Sequence, residues 1–247
     1  MSLVRQMITA QTRQIKIYSE HSRHLVAVDC IIFGYDIKDK EIKLLLIKRS
    51  MEPAMGKWSL AGGFVREDES LDEAASRILC SLTGLKNVYL EQSFSYGDVK
   101  RDPGARVIST AYSALIKIRD IDRELKARNG AHWQSLSRLP LLIFDHRAMV
   151  EKALRDLRMQ IKIKPFGFEL LPEKFTLVQM QDLYEAIYQR EVDKRNFRKK
   201  ILSMNIIEKL DEKEKETSKK GAWYYRFNRE RYEVLRQNGF YFNLDVN

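Results

Sequence analysis

The sequence predicts an α+β protein in two parts, a mixed strand-and-helix domain over residues 1–163 and a smaller domain over residues 164–247. In the first part, near-continuous apolar runs alternate with apolar residues at helical spacing, which is typical of a mixed sheet covered by helices. Beyond the linking segment Lys164–Phe168 the order becomes helix, helix and two short strands. The chain of 247 residues is long enough for two domains with buried cores.

The composition excludes several classes of protein. Hydrophobic residues make up 44% of the chain, too many for a disordered protein. The longest apolar run, Leu25–Phe33, is far shorter than the roughly 20 residues of a membrane span, and the N-terminus has no signal-peptide core. Cys30 and Cys80 lie among apolar neighbours, which favours a reducing compartment. We therefore expect a cytoplasmic protein, and the net charge of +10 points toward a polyanionic partner.

The strands of the first domain follow from apolar, β-branched runs. A short amphipathic helix is predicted within residues 1–20, before the first strand. Leu25–Phe33 lacks alternation, so it is predicted to be a strand buried on both faces. Asp29 inside that run is costly to bury unless it is paired or used. Further strands are predicted at Ile42–Ile47, Val88–Tyr96, Arg106–Ile118 and Ala131–Trp133.

Two helices complete the first domain. Ser70 and Glu73 have the spacing of a capping box ahead of apolar residues at helical intervals, and Gly84 provides the stop. Asp145 is predicted to cap a second amphipathic helix that continues to Ile161.

A 23-residue motif starts at Gly63. Five residues fall at the spacings of the Nudix signature, in which glycine, glutamate and arginine precede a closing glycine–aliphatic pair: Gly63, Glu69, Arg77, Gly84 and Leu85. The flanking segment Trp58–Phe64 also resembles the usual approach to that motif. The resemblance implies a Nudix-like α/β/α sandwich with a mixed sheet. In active members of the family, glutamates on the motif helix hold Mg²⁺ or Mn²⁺ against a diphosphate.

The motif departs from the family where the metal would bind. Ile78, Ser81 and Leu82 stand in the places of three helix glutamates. These positions share one helix face, and hydrocarbon side chains supply none of the hard oxygen ligands that magnesium needs. We therefore predict no catalytic residues, no metal and no cofactor. The alternative is a Nudix hydrolase of a nucleoside diphosphate derivative, in which nearby carboxylates rebuild a nonstandard site: Glu67, Asp68 and Glu73.

The second domain has the order of a winged helix-turn-helix. Thr176 and Gln179 form a capping box for one helix, and Asp193 is predicted to cap a second over Lys194–Met204. Six basic residues against two acidic give Arg190–Lys200 a net charge of +4. Two strands, at residues 206–210 and 222–227, are predicted to follow, joined by a lysine-rich loop that forms the wing.

A basic second helix suits the major groove of DNA, and wing lysines suit phosphates. The predicted DNA-binding residues are Lys194, Arg195, Asn196, Arg198, Lys199, Lys219 and Lys220, with Lys213 and Lys215 also in the wing loop. Two alternatives stay open: a solvated basic helix face, and a module that binds other proteins through its C-terminal helices.

Together the two domains resemble the Nudix-related transcriptional regulators, in which a Nudix-like domain senses a small molecule and a winged helix binds an operator. The sequence looks closest to the arabinose or sugar-utilisation branch of Bacteroides-type bacteria in four segments: residues 51–64, Asp102–Pro103, Phe144–His146 and Asp193–Lys199. The resemblance implies a homodimeric repressor on double-stranded operator DNA. Its effector would be a sugar such as L-arabinose, or ADP-ribose.

The effector site is predicted from charged and aromatic residues at strand ends and in loops. The candidates are Asp29, Lys48, Trp58, Phe64, Arg101, Asp102, Asp145 and His146. Asp29 would bond a sugar hydroxyl unless it is a partnered structural carboxylate. Trp58 and Phe64 would stack on a sugar face unless they belong to the core. His146 is otherwise a surface histidine or one satisfied within the fold.

Overall fold

A seven-stranded mixed sheet forms the first domain. The computed structural model describes residues 18–118, 130–165, 167–215 and 221–244. The predicted N-terminal helix, Lys219 and Lys220 lie outside these ranges. Within them, no helix is both long and apolar enough to span a lipid bilayer.

The strands and helices have the following bounds. The strands are β1 (Leu25–Asp36), β2 (Glu41–Lys48), β3 (Trp58–Ser59), β4 (Ala61–Phe64), β5 (Glu91–Tyr96), β6 (Val107–Lys117), β7 (Ala131–Ser135), β8 (Phe175–Thr176), β9 (Ile207–Glu214) and β10 (Ala222–Phe227). The helices are α1 (Leu71–Thr83), α2 (His146–Ile163), α3 (Leu177–Tyr188), α4 (Lys194–Ser203) and α5 (Arg229–Gln237).

Strand β1 lies at the centre of the sheet. It pairs in parallel with β6 and antiparallel with both β2 and β4, so the sheet is mixed as predicted. On one face Val28, Cys30 and Ile32 pack against α1. On the other, Ile31 and Phe33 pack with residues of α2. Helices therefore cover both faces, which confirms the α/β/α sandwich and the strand buried on two sides.

The second domain contains the predicted helix pair and hairpin, with two additions. Strand β8 joins the hairpin to give a three-stranded sheet in the order β8-β10-β9, and α5 follows β10. Neither addition was predicted, since β8 is two residues long and α5 has no buried residue to set a pattern. Strand β9 extends to Glu214, so Lys213 lies in a strand and not in the loop.

One continuous core joins the two domains. Tyr35 and Leu44 of the first sheet belong to the same buried cluster as Met180 and Leu183 of α3. Lys40 also forms an ion pair of 3.0 Å with Asp182 of α3. The first helix of the second domain is therefore packed directly against the sheet of the first domain.

Candidate functional site

A buried polar cluster lies at the N-terminal end of α2. We use "polar cluster" for five residues: Asp29, Arg101, Ser109, Asp145 and His146. Asp29 is 6% exposed and Arg101 is 7% exposed. Because burial removes water from these groups, each must find its partners inside the protein.

Arg101 is the only cation of the polar cluster. Its Nε and Nη2 each donate a 2.9 Å hydrogen bond to the Asp145 carboxylate, and Nη2 lies 3.4 Å from Oδ2 of Asp29. Burial lowers the pKa of Arg101, but the hydrogen bonds to Asp145 and the charge of Asp29 outweigh it, so the pKa is raised overall. A buried arginine with its fork on a carboxylate is suited to exchange that partner for a phosphate.

Asp145 does not cap α2, so that part of the prediction is wrong. The residue occupies the N-cap position, but its side chain makes no capping hydrogen bond, and its φ and ψ angles are −93° and 10°. Both of its carboxylate oxygens face Arg101 instead. The bidentate pair is stronger than a bond to one backbone N–H, so the arginine takes the carboxylate from the helix end.

His146 is held as a neutral imidazole. The backbone N–H of Leu60 donates to its Nδ1 at 3.2 Å, which leaves Nε2 to carry the proton and face Oδ1 of Asp29 at 3.6 Å. Burial lowers the pKa of His146, against the raising effect of Asp29 and Asp145. His146 therefore adds no charge to the polar cluster near neutral pH.

The other predicted effector residues lie outside the polar cluster. Lys48 places its ammonium 3.9 Å from the ring centroid of Trp58, and Trp58 also contacts His132 edge to face. Phe64 is 44% exposed and shares the sheet face of Asp29 through the β1–β4 register. Asp102 accepts a hydrogen bond from the N–H of Gly104 in its own loop. The structure thus brings together Asp29, Arg101, Asp145 and His146 but not all eight candidates.

Two members of this neighbourhood were missed from the sequence. Ser109 donates a 2.6 Å hydrogen bond to Oδ2 of Asp29. A Cβ atom on Gly62 would lie 2.1 Å from Oδ1 of Asp29, so only glycine fits beside that carboxylate. Both contacts depend on strand register, which places Ala27 opposite Ser109 and Asp29 opposite Gly62. Sequence spacing alone does not define that register.

A cavity of about 1050 Å³ lies between α2 and the β5–β6 edge. Its walls include Leu115, Leu157 and three carboxylates, Glu91, Asp156 and Glu169, together with two lysines. None of the predicted effector residues lines it. For an anionic effector the polar cluster is the better candidate, because its arginine is buried, whereas the cavity has an excess of acidic groups.

The metal-binding face of the Nudix motif does not suit a divalent cation. Ile78 is 3% exposed, and its side chain fills the space beside Gly63. The Ser81 hydroxyl donates a 3.0 Å hydrogen bond to the Ile78 carbonyl, and Leu82 packs against the core. Within the described ranges, no group of three or more histidine, cysteine, aspartate or glutamate residues could hold a metal ion. The donor chemistry of this face therefore does not fit Mg²⁺ or Mn²⁺.

Helix α4 presents a basic surface. Asp193 caps the helix as predicted, accepting a 2.7 Å hydrogen bond from the N–H of Asn196. Phe197 and Ile201 are fully buried, which turns the opposite face to solvent. All five predicted residues of this face are exposed: Lys194, Arg195, Asn196, Arg198 and Lys199. We call α4 the recognition helix, after the role that the sequence predicts for it.

The hairpin adds a second group of cations. Lys209 and Lys213 of β9 are exposed, and their ammonium groups lie 3.8 and 4.4 Å from the ring centroid of Trp223 on β10. Lys215 follows at the end of β9 and is also exposed. Lys209 and Trp223 were not among the predicted DNA-binding residues, because both lie within the predicted strands and only lysines of the loop were assigned to the wing.

Comparisons with known proteins match both domains. A family model described as the NUDIX domain matches residues 23–156, and one described as the NrtR DNA-binding winged helix domain matches residues 167–227. The "ADPR responsive transcriptional repressor NtrR" of Acinetobacter baylyi is 32% identical over 219 residues, 87% of this chain and 86% of the relative.

Two further relatives resemble the chain. The "ADP-ribose pyrophosphatase" of Methanocaldococcus jannaschii is 35% identical over 146 residues, 58% of this chain and 80% of the relative. The crystal structure of Shewanella oneidensis NrtR complexed with a 27mer DNA superposes with a TM-score of 0.68 at 26% identity, covering 89% of this chain and 99% of that one. These matches confirm the predicted fold, a Nudix-like domain followed by a winged helix.

Proposed function

Because the chain belongs to the family of Nudix-domain regulators with an NrtR-type winged helix, we propose that it is a DNA-binding transcriptional repressor whose Nudix domain senses ADP-ribose. The observation that carries this proposal is the exposed basic face of the recognition helix, in a chain whose Nudix motif has an apolar face where the metal would bind. The proposed division lies between residues 163 and 164, where α2 ends.

The charge distribution supports DNA as the partner. Within the described part of the chain, Lys194, Arg195, Arg198 and Lys199 form no ion pair, so their charges are available to a polyanion. Arginine can pair with guanine edges in the major groove, and the β9 lysines can meet phosphates. We further propose that the chain acts in the cytoplasm as a homodimer, which would present two recognition helices to a two-fold operator.

The polar cluster supports an anionic effector. A diphosphate would offer oxygens to Arg101 in place of the Asp145 carboxylate, and a neutral sugar would not compete for that guanidinium in the same way. The relatives' names contain ADPR and ADP-ribose, and neither name contains arabinose. We therefore propose ADP-ribose as the effector and Asp29, Arg101, Asp145 and His146 as residues of its site. L-Arabinose and control of sugar genes remain the alternative.

A binding assay tests the proposal directly. Labelled DNA from upstream of the chain's own gene is titrated by fluorescence anisotropy at several salt concentrations, with ADP-ribose or L-arabinose added in separate arms. We expect a salt-sensitive, sequence-specific complex whose Kd changes by about fivefold or more with ADP-ribose. No specific complex there or at neighbouring operons would contradict the repressor function, and a response to arabinose alone would contradict the effector.

Variants of the recognition helix locate the interface. Arg195→Ala and Arg198→Ala should each raise the operator Kd by about 5- to 150-fold if they contact bases, and reduce the salt slope by about 1 if they contact phosphates. Arg138→Ala, an exposed arginine of the first domain, removes the same charge as a control. Unchanged affinity in both helix variants would show that another surface binds DNA.

The second candidate is a Nudix hydrolase, and the observation behind it is the 35% identity to the "ADP-ribose pyrophosphatase" of Methanocaldococcus jannaschii. The chemistry of Ile78, Ser81 and Leu82 argues against it. Incubation with ADP-ribose and Mg²⁺ or Mn²⁺, followed by chromatography of the nucleotides, distinguishes the two functions. Steady release of AMP, proportional to protein concentration, would favour the enzyme.

A further inference from the structure

Helix α2 contacts both ends of the proposed regulatory path. Its first turn contributes His146 and Met149 to the surroundings of Arg101, and Asp145 immediately precedes it. Its middle lines the 1050 Å³ cavity through Ala153 and Leu157. An effector at the polar cluster or in the cavity would therefore touch the same helix.

The C-terminal half of α2 holds the turn that leads into the recognition helix. Arg158 donates from Nε to the Ile187 carbonyl at 2.9 Å and from Nη2 to Oε1 of Gln189 at 2.8 Å. Ile187 lies in the last turn of α3, where carbonyls have no partner inside the helix. Gln189 is its left-handed C-cap, with φ 55° and ψ 37°.

Arg158 has no carboxylate partner among the described residues, in contrast to Arg101 and Arg147. Burial lowers its pKa, and the nearby charge of Arg190 lowers it further. The guanidinium is stabilised chiefly by carbonyl oxygens at the negative end of the α3 dipole. The guanidinium of Arg158 donates to two groups of the same turn, the Ile187 carbonyl and the Gln189 side chain. Because its planar fork bonds both groups at once, it fixes the position of that turn.

The same turn is held from its other side by α3. The N–H of Val192 donates to Oε1 of Glu185 at 3.1 Å, and Gln181 donates to that oxygen at 2.8 Å. Asp193, the cap of the recognition helix, comes next along the chain. The turn thus has one anchor within its own domain and one on α2.

From this geometry we propose that Arg158 is the positioning residue through which α2 couples the effector site to the recognition helix. The inference rests on the proposed function. Exchange of Asp145 for an effector phosphate at Arg101 frees the N-terminus of α2, and any displacement of the helix is passed by Arg158 to the Ile187 carbonyl and the Gln189 side chain. The recognition helix then changes its position relative to the DNA.

The test is the ratio of operator Kd values measured with and without saturating ADP-ribose. Arg158→Ala should bring this ratio closer to one by about 2- to 30-fold, the range in which residues of a coupling path act. Arg147→Ala is the matched control, because Arg147 is on the same helix but pairs at the surface with Glu151. Arg158→Lys should restore the ratio in part, since one ammonium cannot reproduce the two-pronged contact.

A second variant guards against misfolding. Gln189→Asn keeps a residue that tolerates the left-handed conformation but shortens the side chain beyond reach of Arg158. Melting temperatures and calorimetric binding of ADP-ribose to DNA-free protein are measured for every variant. If ADP-ribose does not change the DNA affinity of the wild-type protein, both the coupling role and the proposed function are overturned. A responsive wild type with equally responsive Arg158→Ala and Gln189→Asn variants overturns the coupling role alone, even if their melting temperatures fall.

Discussion

Replacing Arg101 by methionine should destabilise the protein more than any other single loss of charge in the first domain. The side chain of Arg101 is 3% exposed and that of Asp29 is 8% exposed, whereas that of Asp145 is 24% exposed. Removing one partner of a buried pair costs about 3–5 kcal/mol, because the other charge is left without compensation. Asp145 can regain water, but Asp29 would keep only two neutral neighbours, the Ser109 hydroxyl and the His146 imidazole, so we expect a loss of about 3 kcal/mol.

Thermal and urea unfolding measure this loss. For a chain of this size, about 3 kcal/mol corresponds to a fall in Tm of roughly 6–12 °C. Arg147→Met removes an exposed arginine and should change stability by less than about 0.5 kcal/mol. Adding Asp29→Asn to Arg101→Met should recover more than half of the loss, because the stranded carboxylate is gone. A loss below about 1 kcal/mol, or no recovery, would refute the view that Arg101 neutralises Asp29.

Two further predictions concern single groups. The Tyr184 hydroxyl is buried without a hydrogen-bond partner in the described chain, so Tyr184→Phe should raise the free energy of unfolding by up to about 1 kcal/mol. The Tyr112 hydroxyl donates to Asp72, so Tyr112→Phe should lower the free energy of unfolding. A loss of stability in both variants, measured by urea titration, would contradict the prediction. Because burial lowers the pKa of folded His146, the unfolded chain binds the proton first as pH falls below about 6.5. Stability should therefore fall with acidification by at most about 1.4 kcal/mol per pH unit, and less in His146→Asn; equal slopes from pH 7.5 to 5.5 would show that His146 does not titrate in this way.

Local signals in the sequence predicted the helix starts well. The capping boxes at Ser70–Glu73 and Thr176–Gln179 form both of their hydrogen bonds, and Asp193 caps the recognition helix. In each case the partner lies three residues away, so a short stretch of sequence contains the whole interaction. Asp145 failed as a cap because its stronger partner, Arg101, is 44 residues away along the chain.

The site was harder to predict than the fold for the same reason. Asp29 stood out because a carboxylate interrupts an apolar strand, and its need for partners followed from burial alone. Which partners it finds depends on the register of β1 with β4 and β6 and on the loop that carries Arg101. The contact of Arg158 with α3 was not predicted at all, because a partly exposed arginine on an amphipathic helix has no distinguishing pattern.

The residues that match the Nudix signature here are those that build the loop and the helix. Arg77 donates from Nε to Glu69 at 2.7 Å and from Nη2 to the Phe64 carbonyl at 3.1 Å, while the N–H of Arg66 donates to Glu69 at 2.9 Å. The hydrogen bond to Arg77 is the main reason that the pKa of Glu69 is lowered to about 2. That glutamate therefore acts as the fixed acceptor that ties the loop to α1.

The positions that would bind a metal have taken on a different physical role. Ile78 fills the space beside Gly63 with hydrocarbon, and Leu82 continues the same face into the core. A loop tied down by Glu69 and Arg77 above an apolar helix face retains the shape of the domain without the charge needed to activate water. Under the proposed function, binding without turnover would preserve the effector whose concentration the Nudix domain senses.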